Sequence, residues 1–280
     1  MGMNKAYDIS TRSVARALGL ELVELDDWNC CGATAYMAIR EKRSFILSAR
    51  NLALAEKTGR PLVTACSACY VVLRKLNKYM AENPQLRAEI RSALAVGEMD
   101  YQGKVPVRHL LDVIVSDVGE EGIRPRVRRP LTGLRVVPYY GCQISRPFGE
   151  IDDEEFPQSL DRLVSWLGAE PVPFALKAKC CGGMMMTTQP PIGRRLTGKI
   201  LKGSKRSGAH GVVTCCPLCQ MNLEAYQQQV GAEMGSDCEI PVLYFTQLVG
   251  YALGLGPREL ALGDSLTPVE SMLTEKVACT

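Results

Sequence analysis

The chain has 280 residues, of which 46% are hydrophobic and 22% are charged, which is the composition of a folded globular protein. Its net charge of +3, from 33 basic and 30 acidic residues, is too small for the basic surface that nucleic-acid binding requires. It has neither a signal-peptide core nor an apolar run of roughly 20 residues, so we predict a cytoplasmic protein without a membrane span.

Twelve cysteines accompany only two histidines, His109 and His210. Disulfides rarely persist in a reducing compartment, so thiolates that bind metal are the better interpretation of so many cysteines. A donor set made almost wholly of sulfur selects zinc, copper(I) or iron-sulfur clusters.

The first cysteine module is predicted over residues 1–118. Cys30 and Cys31 precede Gly32, and a C-x-x-C motif, Cys66 and Cys69, follows a short β-branched run at residues 61–64. After Cys66 the apolar residues recur at helical spacing, so the motif lies where a strand ends and a helix begins. A helix N-terminus carries partial positive charge, which stabilises thiolates.

Residues 119–133 are predicted to be a linker, because the segment is rich in glycine, proline and arginine. The second module, residues 134–256, repeats the order of the first: strands at 135–139 and 211–214, an adjacent cysteine pair, and a C-x-x-C motif at the same separation. Its cysteines are Cys142, Cys180, Cys181, Cys216 and Cys219. The duplication predicts an α/β fold of two pseudo-symmetric repeats of a strand–helix cysteine-rich module.

Residues 257–280 match neither module and are predicted to form a C-terminal tail, with Cys279 as a bystander thiol. Cys215 is predicted to be a buried thiol and His109 a structural histidine. Glycines accompany both cysteine pairs and have two interpretations, either as backbone that approaches a cluster and donates N–H bonds to sulfide, or as turn residues with positive φ. These glycines are Gly32, Gly182 and Gly183.

Zinc is the simplest alternative, because two C-x-x-C pairs are a common source of four tetrahedral thiolates. The adjacent cysteine pairs argue against it, since neighbouring side chains diverge and reach one small ion only with strain. A cluster of several irons accepts each thiolate on a different metal. A C-x-x-C redox motif leaves the adjacent pairs unexplained.

The repeated C-C-G and C-x-x-C motifs resemble the cysteine-rich CCG domain, and in particular the B-type subunits of heterodisulfide reductase. The strings DDWNCCGA at residues 26–33 and CPLCQMNL at 216–223 carry the closer resemblance, which covers about residues 4–256. It implies an oxidoreductase that cleaves a small disulfide between two noncubane [4Fe-4S] clusters. It also implies an iron-sulfur C-type partner and a flavin-containing A-type partner.

The implied metal ligands are the nine cysteines of the two motifs: Cys30, Cys31, Cys66, Cys69, Cys142, Cys180, Cys181, Cys216 and Cys219. The first module has no counterpart of Cys142, and we expect a misassigned start or a shortened chain. Without that thiol, the first module is expected to hold a smaller or labile cluster, or zinc. The alternatives for the whole chain are an electron-transfer subunit of another CCG-containing complex, such as a fumarate, glycolate or lactate oxidoreductase, and a structural zinc protein.

Overall fold

The computed structural model of the chain describes residues 4–33 and 35–277, except the side chains of residues 35 and 36. The strands are β1 (Leu62–Thr64), β2 (Val107–His109), β3 (Arg135–Tyr139), β4 (Glu170–Pro171), β5 (Gly211–Thr214) and β6 (Val242–Tyr244). The first seven helices are α1 (Lys5–Leu18), α2 (Ala35–Ile39), α3 (Glu41–Thr58), α4 (Ser67–Glu82), α5 (Pro84–Ala95), α6 (Leu110–Asp112) and α7 (Gly119–Ile123). The others are α8 (Ser159–Trp166), α9 (Met185–Thr188), α10 (Pro190–Arg206), α11 (Pro217–Ala225), α12 (Gln227–Met234), α13 (Phe245–Ala252) and α14 (Val269–Lys276).

Two compact units make up the described chain. The small unit is Val23–Leu110, and the large unit combines Met1–Leu22 with Leu111–Thr280. Helix α1 precedes the small unit in sequence but packs against α13 in the large unit. There the rings of Tyr7 and Tyr244 stack with centroids 4.0 Å apart, and the Ser10 and Thr246 hydroxyls lie 2.7 Å apart. The module boundaries predicted from the repeat remain a prediction.

The small unit contains a parallel pair, in which Leu62 of β1 lies opposite Val107 of β2. Helices α3, α4 and α5 pack together around buried Phe45, Leu52 and Leu76. Helix α4 begins directly after Cys66, its N-cap residue. The predicted junction between a strand and a helix at this C-x-x-C motif is therefore confirmed.

The large unit contains a parallel sheet in the order β4-β3-β5-β6. Buried β-branched residues such as Val137 and Val213 fill its central strands, as expected of a parallel sheet covered on both faces. Strands β3 and β5 have the predicted bounds, which confirms the α/β class. Because the strands are parallel, their carboxyl ends meet at one edge, where α/β folds place their ligands.

Two segments outside the sheets are more ordered than the sequence pattern suggests. The predicted linker contains α7 and a 3-10 turn at Arg124–Arg126, and a π-helical turn at Val113–Val118 directly precedes it at the end of the predicted first module. The tail forms a 3-10 turn, Leu262–Asp264, and α14, whose Leu273 is fully buried. Cys279 lies outside the described residues. Within the described chain, no helix combines the length and the apolar character needed to cross a membrane.

Candidate metal centre

Three elements of the large unit bring its predicted cysteine ligands to the carboxyl edge of the sheet. Cys142 lies in the turn after β3, and Cys216 follows β5 as the N-cap residue of α11, with Cys219 in the first turn of that helix. Cys180 and Cys181 lie in the loop that leads into α9. The backbone of Cys216 is extended, at φ −131° and ψ 123°, so the chain changes from strand to helix at this thiol.

The five thiols form one string of contacts, in which each hydrogen bonds to the next. Cys142 contacts Cys180, Cys180 contacts Cys181, Cys181 contacts Cys219, and Cys219 contacts Cys216. Cys181, Cys216 and Cys219 are buried, Cys142 is half-buried, and Cys180 is exposed. The string therefore runs from the interior of the large unit to its surface.

The thiols alter one another's protonation along this string. Hydrogen bonds with Cys142 and Cys181 hold the pKa of Cys180 well below its ordinary value of 9.0, and the charge of Arg146 acts in the same direction. The hydrogen bond with Cys180 raises the pKa of Cys142, with burial as the second cause. The hydrogen bond with Cys180 likewise raises the pKa of Cys181 to about 12. The lowered pKa favours the thiolate form of Cys180, the exposed thiol of the string, which lies next to Cys142.

Backbone N–H groups of the predicted glycines point at two of these sulfurs. Gly182 N lies 3.3 Å from the Cys180 Sγ and Gly183 N lies 3.4 Å from the Cys181 Sγ. Both glycines have positive φ, +97° and +50°. Gly182 and Gly183 are therefore turn residues with positive φ whose amide donors face thiols, and their approach to a cluster stays a prediction.

A third glycine at the site was not identified from the sequence. Gly141 has φ +71°, and a Cβ at this position would lie 2.8 Å from the Cys219 Sγ. The dipeptide Gly141-Cys142 was visible in the sequence, but the sulfur that closely approaches Gly141 comes from a helix far away in the chain. A glycine here leaves room for that sulfur.

A buried ion pair supports the turn that carries Cys142. The carbonyl of Lys177 accepts hydrogen bonds from Tyr140 N at 2.9 Å and Gly141 N at 3.1 Å. The Lys177 Nζ lies 3.1 Å from the Asp161 Oδ1, and the Tyr140 hydroxyl donates to the Asp161 Oδ2 at 2.5 Å. The side chains of Lys177 and Asp161 are only 9% and 15% exposed, so the two charges depend on each other.

The small unit brings its four predicted cysteines together in the same way. The Cys31 Sγ lies 3.0 Å from the Cys69 Sγ, Cys31 also contacts Cys30, and Cys69 contacts Cys66. The hydrogen bond with Cys69 lowers the pKa of Cys31 to about 7, and the same bond raises that of Cys69. Gly32 has φ +80°, and a Cβ at this position would lie 2.5 Å from the Ser44 Oγ.

The predicted donors at both sites fit an iron-sulfur group. Every donor is a thiol, and adjacent cysteines contribute in pairs, as a group with several metal atoms allows. Within residues 4–33 and 35–277, no group of three or more His, Cys, Asp or Glu side chains is arranged to hold a single metal ion. The predicted ligands therefore fit an iron-sulfur group in their donor type, which is thiol, and in their occurrence as adjacent cysteine pairs. The metal-ligand roles of the nine cysteines stay a prediction.

Two residues predicted to be structural lie in the interior. His109 is fully buried, with its Nε2 3.5 Å from the Ser67 Oγ and its ring edge-on to Tyr70. Cys215 is fully buried, and its Sγ lies 3.8 Å from the carbonyl oxygen of Tyr140. The burial predicted for the Cys215 thiol is confirmed.

Comparison with known proteins gives relatives of nearly the same length. The chain is 36% identical over 259 residues to the 8-methylmenaquinol:fumarate reductase membrane anchor subunit of Wolinella succinogenes, covering 92% of this chain and 90% of the relative. It is 30% identical to the B-type subunit of the ferredoxin/F420H2-dependent CoB-CoM heterodisulfide reductase of Methanosarcina acetivorans, covering 93% and 87%. A protein of Archaeoglobus profundus that resembles the same type of heterodisulfide reductase subunit is 31% identical, with 95% and 91% covered.

A crystal structure of a hypothetical protein from Helicobacter pylori has a similar fold, with a TM-score of 0.79 and 15% identity. It matches 95% of this chain, which spans about half (49%) of that protein. The CCG cysteine-rich domain family matches residues 2–74 and 136–224, the two regions that contain the cysteine motifs. The chain therefore belongs to the CCG cysteine-rich domain family and is a homologue of the B-type subunits of heterodisulfide reductase.

Proposed function

We propose that the chain is the iron-sulfur subunit of a heterodisulfide-reductase-type complex, an oxidoreductase that reduces a disulfide substrate. The observation that carries the proposal is the string of five thiols at the carboxyl edge of the large-unit sheet. Homology to the B-type subunits supports the wider class, an iron-sulfur electron-transfer subunit.

In this proposal, Cys142, Cys180, Cys181, Cys216 and Cys219 hold one noncubane [4Fe-4S] cluster. When bound, such a cluster accepts and releases electrons one at a time. The N–H groups of Gly182 and Gly183 donate to the sulfurs that hold it. The four cysteines of the small unit hold a second cluster, or a smaller or more labile metal group.

Reduction of a disulfide consumes two electrons and two protons, breaks the S–S bond and releases two thiols. In the large unit, Cys180 is the exposed thiol of the string, so substrate sulfur approaches the site from that side. The electrons come from an iron-sulfur C-type subunit that is itself supplied by a flavin-containing A-type subunit. We place this complex in the cytoplasm.

The cofactor is tested by comparing two cysteine variants after anaerobic reconstitution. We expect the combined substitutions Cys216→Ser and Cys219→Ser, which remove the C-x-x-C thiols of the large unit, to lower the iron content by about four atoms per chain. Cys215→Ala should leave it unchanged, because this thiol lies outside the string. The assay is iron, acid-labile sulfide and zinc per chain; a colourless wild type that holds zinc without sulfide would contradict the proposal.

The reaction is tested with the assembled complex, reduced viologen and a panel of small disulfides that includes the CoB-CoM heterodisulfide. Wild-type protein should oxidise the viologen with release of two thiols per disulfide, and Cys142→Ser should lose this activity. A complex that holds its clusters but reduces none of these disulfides would contradict the substrate assignment.

A second candidate is an electron-transfer subunit of a quinol:fumarate reductase-type complex. It is favoured by the 36% identity to the Wolinella succinogenes anchor subunit, together with the unequal thiol sets of the two units. For this function, a menaquinol should reduce the clusters of the complex and fumarate should reoxidise them, without any disulfide. Neighbouring genes for A-type and C-type subunits favour the first candidate, and neighbouring dehydrogenase genes favour the second.

A further inference from the structure

One buried amide in the large unit faces a predicted cluster ligand. The Asn222 Nδ2 lies 3.6 Å from the Cys181 Sγ, 3.4 Å from the Cys181 carbonyl oxygen and 3.0 Å from the Gly183 carbonyl oxygen. Asn222 is fully buried in α11, three residues after Cys219. Its side chain therefore contacts both a thiol and the turn that carries it.

Packing does not explain this asparagine. Its Oδ1 is buried and has no hydrogen-bond partner, which is an unfavourable arrangement for an amide inside a protein. Asparagine is also a weak helix former. Position 72 of the small unit corresponds to position 222 in the repeat and holds a fully buried valine, so an apolar residue is compatible with this position in the fold.

Flipping the Asn222 side-chain amide, so that Oδ1 and Nδ2 exchange positions, would not remove the unfavourable arrangement. With Oδ1 in place of Nδ2, two carbonyl oxygens and a sulfur acceptor would face an oxygen. The contact to the Gly183 carbonyl, at 3.0 Å, thus fixes Nδ2 as the atom that faces the loop. The amide N–H groups are directed at Cys181 and its turn.

We propose that Asn222 is a positioning residue that donates an N–H···S hydrogen bond to Cys181 and thereby raises the reduction potential of the large-unit cluster. The inference rests on the proposed function, since it requires a cluster on Cys181. A donor to a ligand sulfur withdraws negative charge from it, which favours the reduced, more negative cluster. The small unit has no such donor at the corresponding Val72.

The test uses the full chain with the substitutions Cys66→Ser and Cys69→Ser, so that the large unit gives the only cluster signal. We expect Asn222→Val to retain iron and to show a lower midpoint potential in an EPR redox titration. Thr197→Val is the matched control, because the Thr197 Oγ1 donates to the Cys181 carbonyl oxygen at 2.8 Å and not to its sulfur. It should leave the potential unchanged.

A second measurement does not depend on the stability of a variant. Protein labelled with ¹⁵N only in asparagine side chains should show a ¹⁵N coupling to the cluster by pulsed EPR. An unchanged potential in Asn222→Val, or no such coupling in the labelled protein, would overturn the inference while leaving the cluster in place. A chain that binds no iron before Asn222 is changed would overturn the proposed function instead.

Discussion

A substitution at Gly182 tests the turn that carries the large-unit cysteine pair. A Cβ at this position would lie 2.9 Å from the Cα of Gly193 and 3.1 Å from its carbonyl oxygen, both in the backbone of α10. Its φ of +97° is also strained for any residue with a side chain. Such a conformation costs about 1–3 kcal/mol, and forcing a methyl group into a packed interior costs about 1–3 kcal/mol more.

We therefore expect Gly182→Ala to lower the free energy of unfolding by about 2–6 kcal/mol. Gly183→Ala is the matched control, because Gly183 lies in the same turn and its N–H donates to the next thiol, and a Cβ at this position would have Leu218 Cδ2 as its nearest atom, at 3.8 Å. It has a strained φ of +50° but no close backbone contact, so we expect it to cost only about 1–2 kcal/mol.

The assay is urea unfolding of the reduced, metal-free chain, followed by tryptophan fluorescence. Trp166 lies in the large unit and exposed Trp28 in the small unit, so a Trp28→Phe background makes the signal specific to the large unit. A loss of about 3 kcal/mol should move the midpoint by about 1 M at a slope near 3 kcal/mol/M. Equal midpoints for the two alanine variants would refute the argument from backbone contact.

Two further predictions concern buried carboxylates of the large unit. Asp161→Asn should lower the free energy of unfolding by about 3–5 kcal/mol, because the charge of Lys177 would be left buried without its partner. The control is Glu170→Gln, which removes an exposed ion pair and should cost less than about 1 kcal/mol. Equal losses for the two variants in urea titrations would contradict a stabilising role of the buried pair. Burial raises the pKa of Glu224 above its ordinary value of 4.5, so its contribution to stability is fully present below that pH and is lost as the pH rises through the folded-state pKa. Relative to Glu224→Gln, the native chain should therefore lose stability as the pH rises above 4.5; parallel pH profiles of the two proteins would contradict this.

The cysteine framework could be predicted from the sequence because its signals are local. The residue ranges of β3 and β5 follow from β-branched runs, and each C-x-x-C motif follows a strand and precedes a helical pattern. The equal separation between the cysteine pair and the C-x-x-C motif in the two copies identifies the duplication, and the common ligand role predicted for each set requires its cysteines to lie close together in the fold. The contacts of Cys31 with Cys69 and of Cys181 with Cys219 agree with this arrangement.

The features of the site that were not predicted from the sequence depend on residues that are far apart in the chain. Asp161 and Lys177 belong to no motif, and only the fold reveals that their ion pair supports the turn before Cys142. Asn222 has the pattern of an ordinary polar residue in a helix, since its amide contacts come from a loop about 40 residues earlier. The amphipathic pattern of α1 indicates that the helix has a buried face but does not identify α13 as its neighbour.

The two units position their cysteine pairs with similar contacts, in which a side-chain hydroxyl donates a hydrogen bond to the carbonyl oxygen of the second cysteine. The Ser48 hydroxyl donates to the Cys31 carbonyl oxygen at 2.5 Å, and the Thr197 hydroxyl donates to that of Cys181 at 2.8 Å. In each unit a glycine with positive φ follows the pair and packs closely against the next long helix, α3 or α10.

Because this frame is shared, we look to the groups that face the sulfurs for differences between the two predicted metal sites. Two such differences are Cys142, which adds a fifth thiol in the large unit, and Asn222, which occupies the position of the apolar Val72 of the small unit. Under the proposed function, the first changes how many metal atoms can be held, and the second changes the charge on a ligand sulfur. Two sites descended from one module can thus differ in metal content and in reduction potential without any change in the strands and helices that position them.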